Sequence, residues 1–341
     1  MKGAVIYGKH DLRLEDFPLP SVGADDVLIR VAYCGICGSD VHTFEGMRTN
    51  IHARPLGRRP MGHEVSGTVE EIGANVTTCR PGDRVTCIPW VTCGVCAYCR
   101  RGLVNHCVNK TLIGGSMAEY VTVPGGSVYR LPDELSIRRA ALAEPLSCCV
   151  WAMDLGGLRS GESAVVVGAG TIGLLLSLLA RSGGAAQTIV SEPNPVRRAL
   201  AERLGATQVV DPRATDLSER VHALTDGIGV DVAFEAVGHP TTVQDALRVV
   251  RNAGTVVVVG LSDPAATLPL SPFDLFQREL TIRGCFTRRL SFDRAMRWLV
   301  TLDLDPIITH VFPLAEIGPA MEHARQGLGG KVLVSPNGES A

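Results

Sequence analysis

Four cysteines lie close together in the sequence with spacings typical of metal ligands. Cys93, Cys96, Cys99 and Cys107 follow the pattern C-x2-C-x2-C-x7-C, and four thiolates can surround one tetrahedral ion completely. Because a complete shell of sulfur ligands leaves no position for water or substrate, the pattern predicts a structural zinc ion. An iron–sulfur cluster could use the same four thiolates, and ordinary buried or free cysteines are the remaining interpretation.

A second candidate metal site has mixed ligands. Cys37 is followed later in the sequence by the neighbours His63 and Glu64, and Glu144 is a further acidic candidate. Sulfur, nitrogen and oxygen ligands that leave one coordination position open are what a catalytic zinc requires. The grouping carries this prediction, since each residue alone is weak evidence. The sequence therefore predicts two zinc ions per chain, one structural and one catalytic.

A glycine-rich segment predicts a dinucleotide-binding turn. Gly168, Gly170 and Gly173 form the pattern G-x-G-x-x-G between a β-branched apolar run at 163–167 and an apolar helix at 174–180. The glycines permit a tight turn and the close approach of a pyrophosphate, which the helix N-terminus can bind. The predicted cofactor-binding residues are Gly168, Gly170, Thr171, Ile172, Gly173, Glu192 and Arg197.

Glu192 favours NAD as the cofactor. It ends the next apolar run after the glycine turn, where a carboxylate can accept hydrogen bonds from both adenosine ribose hydroxyls and repels a 2′-phosphate. NADP stays an alternative because Arg197 and Arg198 follow closely, and an arginine at this place can accommodate the phosphate.

Length and composition exclude several classes of protein. With 341 residues the chain exceeds the usual size of a single core, so two domains are expected. The net charge of −2 shows no excess of basic residues of the kind that binds nucleic acid or an anionic membrane. No apolar run is long enough to cross a bilayer. Residues 1–7 have the pattern of a strand and not of a signal peptide. Together with thiols spaced for metal, this predicts a cytoplasmic protein.

The pattern of the chain changes near residue 150. Before it, short β patterns broken by glycine and proline predict a β-rich domain. After it, strands alternate with helices, which predicts a doubly wound parallel sheet of the α/β class. The predicted strands of that sheet are 164–167, 188–191, 208–211, 230–236, 255–260 and 280–284. The predicted helices include 195–204, 217–224, 242–250 and 292–302, and a last strand is predicted at 331–334.

With the two zinc patterns and the nucleotide fingerprint in this order, the chain resembles the zinc-dependent medium-chain dehydrogenase/reductase family over essentially its whole length. The segment Gly-His-Glu-Val-Ser-Gly at 62–67, followed by Gly73, matches the family motif. The polyol branch (sorbitol, threonine, idonate and butanediol dehydrogenases) is the most similar, because Glu144 stands where other alcohol dehydrogenases carry a cysteine ligand.

This resemblance implies the domain organisation. A GroES-like β-rich catalytic domain would comprise 1–147 and 286–341, with a structural zinc lobe at about 87–110, and a Rossmann domain would comprise 148–285. It also implies a homo-oligomer, either a tetramer or a dimer.

The resemblance further implies how the mixed site binds its metal. Cys37 and His63 would be ligands of the catalytic zinc. Glu64 would bind directly in some states, and Glu144 directly or through water. Asp40 would accept the second N–H of the His63 ring and so fix its tautomer.

The implied reaction is the oxidation of a secondary alcohol or polyol by NAD. The zinc would lower the pKa of the alcohol as a Lewis acid, and hydride would pass from the carbinol carbon to the nicotinamide. Ser39 would take the alcohol proton and His42 would pass it towards solvent. With Glu144, these two are the predicted catalytic residues.

Two other functions stay open. An NADPH-dependent carbonyl reductase of the same fold would place Arg197 or Arg198 on the 2′-phosphate. A non-catalytic relative would retain nucleotide binding only, although the joint presence of the candidate ligands and proton-transfer residues argues against it.

The loop between Phe44 and Pro60 bears on the substrate. It is unusually basic, which would suit an anionic or phosphorylated sugar, but we expect a solvated surface loop. Its basic residues are Arg48, His52, Arg54, Arg58 and Arg59.

Overall fold

The computed structural model describes residues 1–47 and 56–338. The chain forms two units. The β-rich unit comprises residues 1–145, residues 292–327 and the stretch from Lys331 onward, and the doubly wound unit comprises residues 146–291 and 328–330. Within the described ranges, no helix has the length and apolar character needed to span a bilayer.

The first part of the chain is built from short strands and short helices. The strands are β1 (Lys2–Gly8), β2 (Asp11–Asp16), β3 (Asp26–Gly35), β4 (Glu64–Ile72), β5 (Arg84–Cys87), β6 (Trp90–Val91), β7 (Thr111–Leu112), β8 (Tyr120–Pro124) and β9 (Val128–Arg130). The helices are α1 (Gly38–Phe44), α2 (Ala97–Arg100), α3 (Ile137–Ala140) and α4 (Ala143–Gly156).

The doubly wound unit alternates strands and helices. Its elements are β10 (Ser163–Val167), α5 (Thr171–Ser182), β11 (Gln187–Ser191), α6 (Pro195–Arg203), β12 (Gln208–Val210), α7 (Leu217–Leu224), β13 (Val230–Glu235), α8 (Pro240–Val249), β14 (Val250–Val258), α9 (Pro272–Arg278) and β15 (Thr281–Gly284). All neighbouring strands are parallel, in the order β12-β11-β10-β13-β14-β15. This is the strand order of a dinucleotide-binding sheet, so the predicted α/β fold class is confirmed.

The last elements of the chain return to the β-rich unit. They are α10 (Phe292–Thr301), β16 (Ile308–Pro313), α11 (Ile317–Gln326) and β17 (Lys331–Ser335). The main sheet of this unit has the order β16-β17-β3-β4-β5-β9, with β8 also paired to β3. Its core consists of aliphatic side chains from these strands and from α11.

The residues of the predicted mixed metal site lie where β3 and β4 of this sheet pair. β3 ends at Gly35, which pairs with Glu64 at the start of the antiparallel strand β4. Residues just after β3 therefore lie beside residues just before β4, and this brings Cys37 next to His63. On its other side Gly35 pairs with Leu333 of β17.

One predicted strand differs from the observed one by more than a single residue at an end. The fifth strand of the parallel sheet was predicted at 255–260 but covers Val250–Val258. The register shifts between the pairs Val230–Val250 and Val232–Thr255, and Ala253 has a positive φ of 55°. This bulge of polar and small residues interrupts the apolar pattern, so the sequence hides the first half of the strand.

Candidate metal centres and cofactor site

The four-cysteine cluster brings its ligand atoms together as predicted from their spacing. The Sγ atoms of Cys93, Cys96, Cys99 and Cys107 all lie within 4.8 Å of one another. Helix α2 begins directly after Cys96, and its first turn places Cys99 next to Cys96.

Backbone N–H groups point at these sulfur atoms. The N–H of Cys99 donates to Sγ of Cys96 at 3.5 Å, and that of Cys93 donates to Sγ of Cys107 at 3.4 Å. The first of these bonds contributes most to lowering the pKa of Cys96 to about 6. Burial raises the pKa of Cys99 to about 11, and a bound cation would offset that cost. The donor set fits a tetrahedral zinc ion.

The mixed site groups Cys37, His63 and Glu64. Their ligand atoms also lie within 4.8 Å of one another, and His63 and Glu64 are 5% and 1% exposed. Glu144 is buried in the first turn of α4. It lies outside this group of ligand atoms but close enough for its charge to act on the His63 ring.

The electrostatics of the mixed site favour a bound cation. Burial alone lowers the pKa of His63, but the negative charges of Cys37, Asp40 and Glu144 outweigh it and raise this pKa to about 10. The site therefore stabilises a positive charge strongly. A divalent metal ion would supply that charge while the imidazole stays neutral and binds it. The residues fit zinc.

Asp40 has a different contact from the one predicted. Its Oδ1 lies 3.8 Å from Nδ1 of His63, which is an ion-pair distance and too long for a direct hydrogen bond. Its Oδ2 accepts the backbone N–H of Cys37 at 3.0 Å. Asp40 thus anchors the backbone of one candidate ligand and lies beside the ring of another.

Helix α1 carries both predicted proton-transfer residues. The hydroxyl of Ser39 is buried without a hydrogen-bond partner among the described residues. It lines a cavity of about 60 Å³ together with Asp40 and His63. His42 lies three residues further along the same helix face, where burial lowers the pKa of its ring and so favours the neutral form that can accept a proton.

The glycine turn has the geometry of a pyrophosphate site. Gly168 has a φ of 96°, and a Cβ at Gly173 would lie 1.9 Å from the carbonyl oxygen of Gly168. Both positions therefore require glycine. A Cβ at Gly170 would meet nothing within 4 Å, so there is open space at the N-terminus of α5, where Thr171 and Ile172 form the first turn.

Glu192 is held firmly at the end of β11. Its Oε2 accepts the N–H of Ala169 at 2.7 Å and its Oε1 accepts that of Asn194 at 2.8 Å. The two arginines that could favour NADP are already bound to other groups. Arg198 donates to the carbonyl oxygens of Glu192 and Pro193 and pairs with Asp211 at 3.0 Å. Arg197 donates through Nε to the carbonyl oxygen of Gly329.

Comparison with known proteins agrees with this geometry. A family model described as alcohol dehydrogenase GroES-like domain matches residues 23–133, and one described as zinc-binding dehydrogenase matches residues 171–301. Sorbitol dehydrogenase of Bacillus subtilis (strain 168) is 32% identical, covering 99% of this chain and 98% of its own. D-arabitol-phosphate dehydrogenase of Enterococcus avium is 36% identical, covering 97% and 96%.

A solved structure is also similar over nearly the whole chain. It comes from Sinorhizobium meliloti 1021, is described as a zinc-binding dehydrogenase bound to NADP, and is 34% identical with a TM-score of 0.92. It covers 98% of this chain and 99% of that one.

The chain belongs to the zinc-dependent medium-chain dehydrogenase/reductase family. Its relatives place it in the polyol branch, so the predicted family is confirmed. The protein is therefore a zinc-dependent oxidoreductase of the dehydrogenase class.

Lys331 and Glu235 are among the buried charged residues of this dehydrogenase that were not predicted from its sequence. Lys331 is 2% exposed, pairs with Glu64, and donates to the carbonyl oxygen of Ile36 at 2.9 Å. Glu235 is fully buried at the end of β13, where its Oε1 accepts the N–H of Gly238 at 2.7 Å. In each case the sequence offers one signal, a charged residue next to the aliphatic residues of a predicted strand. Such a residue is buried with the strand and then needs a specific partner.

The basic loop of the dehydrogenase is only partly described. Arg48, His52 and Arg54 lie outside the described residues. Arg58 and Arg59 are exposed, and Arg59 lines the same cavity as Ser39.

Proposed function

We propose that this chain is an NAD-dependent dehydrogenase of secondary alcohols and polyols with two zinc ions per chain. Cys37 and His63, with Glu64 or Glu144, would hold the catalytic ion, and the four-cysteine cluster would hold the structural one. The observation that carries this proposal is the grouping of Cys37, His63 and Glu64 ligand atoms within 4.8 Å. Beside them lies the Ser39 hydroxyl, which has no hydrogen-bond partner in the described part of the chain.

The residues of α1 would move the proton. When bound, the zinc supplies a Lewis acid for the alcohol oxygen, and the nicotinamide takes up the hydride. Ser39 would accept the alcohol proton, because its buried oxygen makes no hydrogen bond to any other residue that the structure describes. His42 would relay that proton, because burial keeps its ring neutral near pH 7.

NAD dependence is supported by the residues at the end of β11. The Glu192 carboxylate is fixed by two backbone N–H groups, so a 2′-phosphate would meet a like charge there. Arg198 is bound to three oxygen atoms and would have to leave them to bind the phosphate.

The variant Glu192→Ala tests the NAD assignment. We expect kcat/KM for NADP relative to NAD to rise at least ~10-fold, since a factor of ten needs only about 1.4 kcal/mol. Glu202→Ala on the exposed side of α6 is the matched control and should leave the ratio unchanged. An unchanged ratio in Glu192→Ala would show that cofactor choice depends on other residues.

A phosphorylated polyol is a second candidate substrate. Arg59 lines the cavity that also contains Ser39 and His63, and a guanidinium there could bind a phosphate group. The relative from Enterococcus avium is named a D-arabitol-phosphate dehydrogenase. For this substrate class, Arg59→Ala should lower kcat/KM for the phosphorylated polyol only, whereas Arg58→Ala serves as the control.

We propose a homo-oligomer, a dimer or a tetramer. The edge strand β15 pairs only with β14 in the sheet of the described residues, and large apolar side chains are exposed near it in the chain. Phe273 is 68% and Phe276 80% exposed on α9. An open edge beside exposed aromatic rings is typical of an interface between copies, and light scattering would measure the mass.

The proposed compartment is the cytoplasm. All eleven cysteines are free, and four of them form a metal-ligand cluster. Unpaired thiols and a thiolate metal cluster are typical of a reducing compartment, which supports this proposal.

A substrate panel tests the activity itself. Purified protein is mixed with NAD and with sorbitol, a cyclitol, 2,3-butanediol, L-threonine, ethanol or a sugar-alcohol phosphate, and NADH is followed by its absorbance. We expect a polyol or diol to be oxidised faster than ethanol. No NADH with any alcohol, from protein that contains zinc, would contradict the proposed function.

A further inference from the structure

A cleft of about 410 Å³ lies in the doubly wound unit, away from the cofactor site. It is lined by residues at the amino-terminal ends of β13 and β14 and by residues near the C-terminal ends of α7, α8 and α9. The glycine turn and Glu192 instead follow the carboxyl ends of β10 and β11. Because all strands of this sheet are parallel, the cleft lies at the opposite edge of the sheet. Its volume falls within the roughly 300–1,000 Å³ typical of sites for small organic molecules.

The ionisable side chains that line this cleft are basic. Among the described residues they are His222, Arg248, Arg251 and Arg278. Each arginine forms an ion pair with an aspartate that is not one of the lining residues: Asp245, Asp231 and Asp274, respectively. The carboxylates therefore orient the guanidinium groups without offering an acidic group to a molecule in the cleft.

Two of the arginines keep N–H groups for a ligand. Arg251 donates through Nε to Asp231 at 2.7 Å and through Nη1 to the carbonyl oxygen of Asn252 at 2.8 Å. Its Nη2 makes no hydrogen bond to any residue that the structure describes. Arg248 is exposed, and within the described residues it uses only Nη2, which donates to Asp245.

Arg278 and His222 complete the wall in different ways. Arg278 donates to the carbonyl oxygens of Leu247 and Val250 at the end of α8, a structural role that is common for basic side chains at helix C-termini. Nδ1 of His222 lies 2.7 Å from the carbonyl oxygen of Ser218. Since a carbonyl oxygen can only accept, Nδ1 carries the hydrogen, and Nε2 of the neutral ring remains an acceptor.

Backbone strain is concentrated around the cleft. Asp226, Ala253 and Glu279 have φ values of 51°, 55° and 50°, in the left-handed region that only glycine adopts freely. They are three of the six non-glycine residues with positive φ in the part of the chain that the structure describes. Each is the immediate neighbour in the sequence of a residue that lines the cleft. Strain of this kind clusters at sites that bind ligands.

An exposed apolar side chain stands among the basic ones. Ile228 lines the cleft and is 65% exposed. Guanidinium groups bind phosphate oxygens in a bidentate manner, and an aliphatic side chain beside them can contact the apolar part of the same molecule. The lining therefore matches a ligand that carries both a phosphate group and an organic part.

We propose that this cleft binds an organic phosphate. The phosphate group lies on the unused N–H groups of Arg248 and Arg251, and the organic part packs against Ile228. Nε2 of His222 accepts a hydrogen bond from a hydroxyl of the ligand. The site needs neither zinc nor an alcohol substrate, so its failure would leave the proposed dehydrogenase function unaffected.

Binding of AMP to the full-length protein saturated with NAD tests this proposal. Because NAD fills the cofactor site, AMP must bind elsewhere. Isothermal titration calorimetry should show one AMP per chain, and adenosine, which lacks the phosphate, should bind at least ~10-fold more weakly. Absence of AMP binding at millimolar concentration, or equal affinity for adenosine and AMP, would overturn the proposal.

Variants of the arginines locate the bound AMP. Arg248→Gln and Arg251→Gln should each weaken AMP binding at least ~10-fold. Arg203→Gln, at an exposed arginine of α6 in the same unit, is the matched control and should bind AMP as the wild type does. Arg59→Ala should also leave AMP binding unchanged, which separates the cleft from the cavity that contains Ser39. An AMP affinity within about 2-fold of the wild type in both cleft variants would overturn the proposal.

Chemical modification of the wild type provides a measurement that does not depend on the folding of variants. Phenylglyoxal reacts with accessible guanidinium groups, and mass spectrometry identifies the arginines that are modified. In the protein saturated with NAD, a saturating concentration of AMP should slow the modification of Arg248 about 10-fold and leave that of Arg203 unchanged. Equal rates of modification of Arg248 with and without AMP would contradict the proposed site.

Discussion

The two candidate metal sites of the β-rich unit are built in opposite ways. The four-cysteine cluster takes all its ligands from one short stretch of chain around α2. The mixed site takes its ligands from the end of β3 and the start of β4, which are brought together by strand pairing.

The surroundings of the two sites show the same contrast between local and distant parts of the chain. Backbone N–H groups of the cluster itself stabilise its thiolates. The mixed site is instead surrounded by charged side chains from other elements, with Asp40 on α1, Glu144 on α4 and Lys331 on β17. A closed site needs only its own ligands, whereas an open site needs neighbours that balance charge and keep a position free.

The largest expected difference between the sites comes from removing one thiolate from each. Cys37→Ser should lower kcat/KM at least ~1,000-fold while the fold persists. The reason is that Lewis-acid assistance by the zinc lowers the activation free energy by about 4 kcal/mol or more. Cys99→Ser should instead lower the thermal stability of the protein, because structural zinc contributes to folding. The folded fraction of Cys99→Ser should retain kcat/KM within ~10-fold.

Steady-state kinetics, thermal unfolding and zinc content of both variants provide the check. Equal loss of activity in the two variants at a temperature where both are folded would remove the distinction between the sites.

Glu144 sharpens the comparison, because its charge acts on the His63 ring although it is not among the grouped ligand atoms of the mixed site. Glu144→Ala should lower kcat/KM about 100-fold, as expected for a group at or beside a catalytic metal, and leave NAD binding nearly intact. Glu134→Ala, on an exposed residue of the same unit, is the matched control. Near-normal turnover of a diol by Glu144→Ala would refute this role.

Local patterns in the sequence predicted much of the molecule. The strands of the parallel sheet could be recognised because each is a short aliphatic run before a glycine or a polar turn. The four-cysteine cluster and the glycine turn were equally visible, because their chemistry depends on spacing along the chain. The bulge at Ala253 concealed part of β14, since it interrupts that pattern.

The charged pairs of the mixed site could not be predicted in the same way. Lys331 and Glu64 lie at opposite ends of the sequence and meet only because β17, β3 and β4 are neighbours in the sheet. The space left by Gly35 that allows their contact depends on strand register, which the sequence alone does not specify. The Asp40–His63 distance likewise depends on how α1 is placed after β3.

The smallest expected effect concerns proton transfer next to the mixed site. Burial lowers the pKa of His42 below its ordinary value of 6.5, so the ring is neutral above that value and becomes protonated only at lower pH. Alcohol oxidation should therefore lose the relay only when the pH falls through this lowered pKa, which lies below 6.5. His42→Asn should lower kcat/KM about 10-fold near pH 7 and remove this acidic limb.

The pH profile of kcat/KM measures this effect, and Cys99→Ser should keep the acidic limb because its change lies in the other metal site. An acidic limb that persists unchanged in His42→Asn would assign the titration to another group.

The most direct test of the difference between the two sites is stepwise chelation of the active enzyme with zinc counted at each step. The account predicts two zinc ions per chain, loss of activity with release of the first, and retention of the second together with the circular dichroism of the folded protein. Added zinc should then restore activity. One zinc per chain in fully active enzyme, or full activity after the first zinc has left, would contradict it.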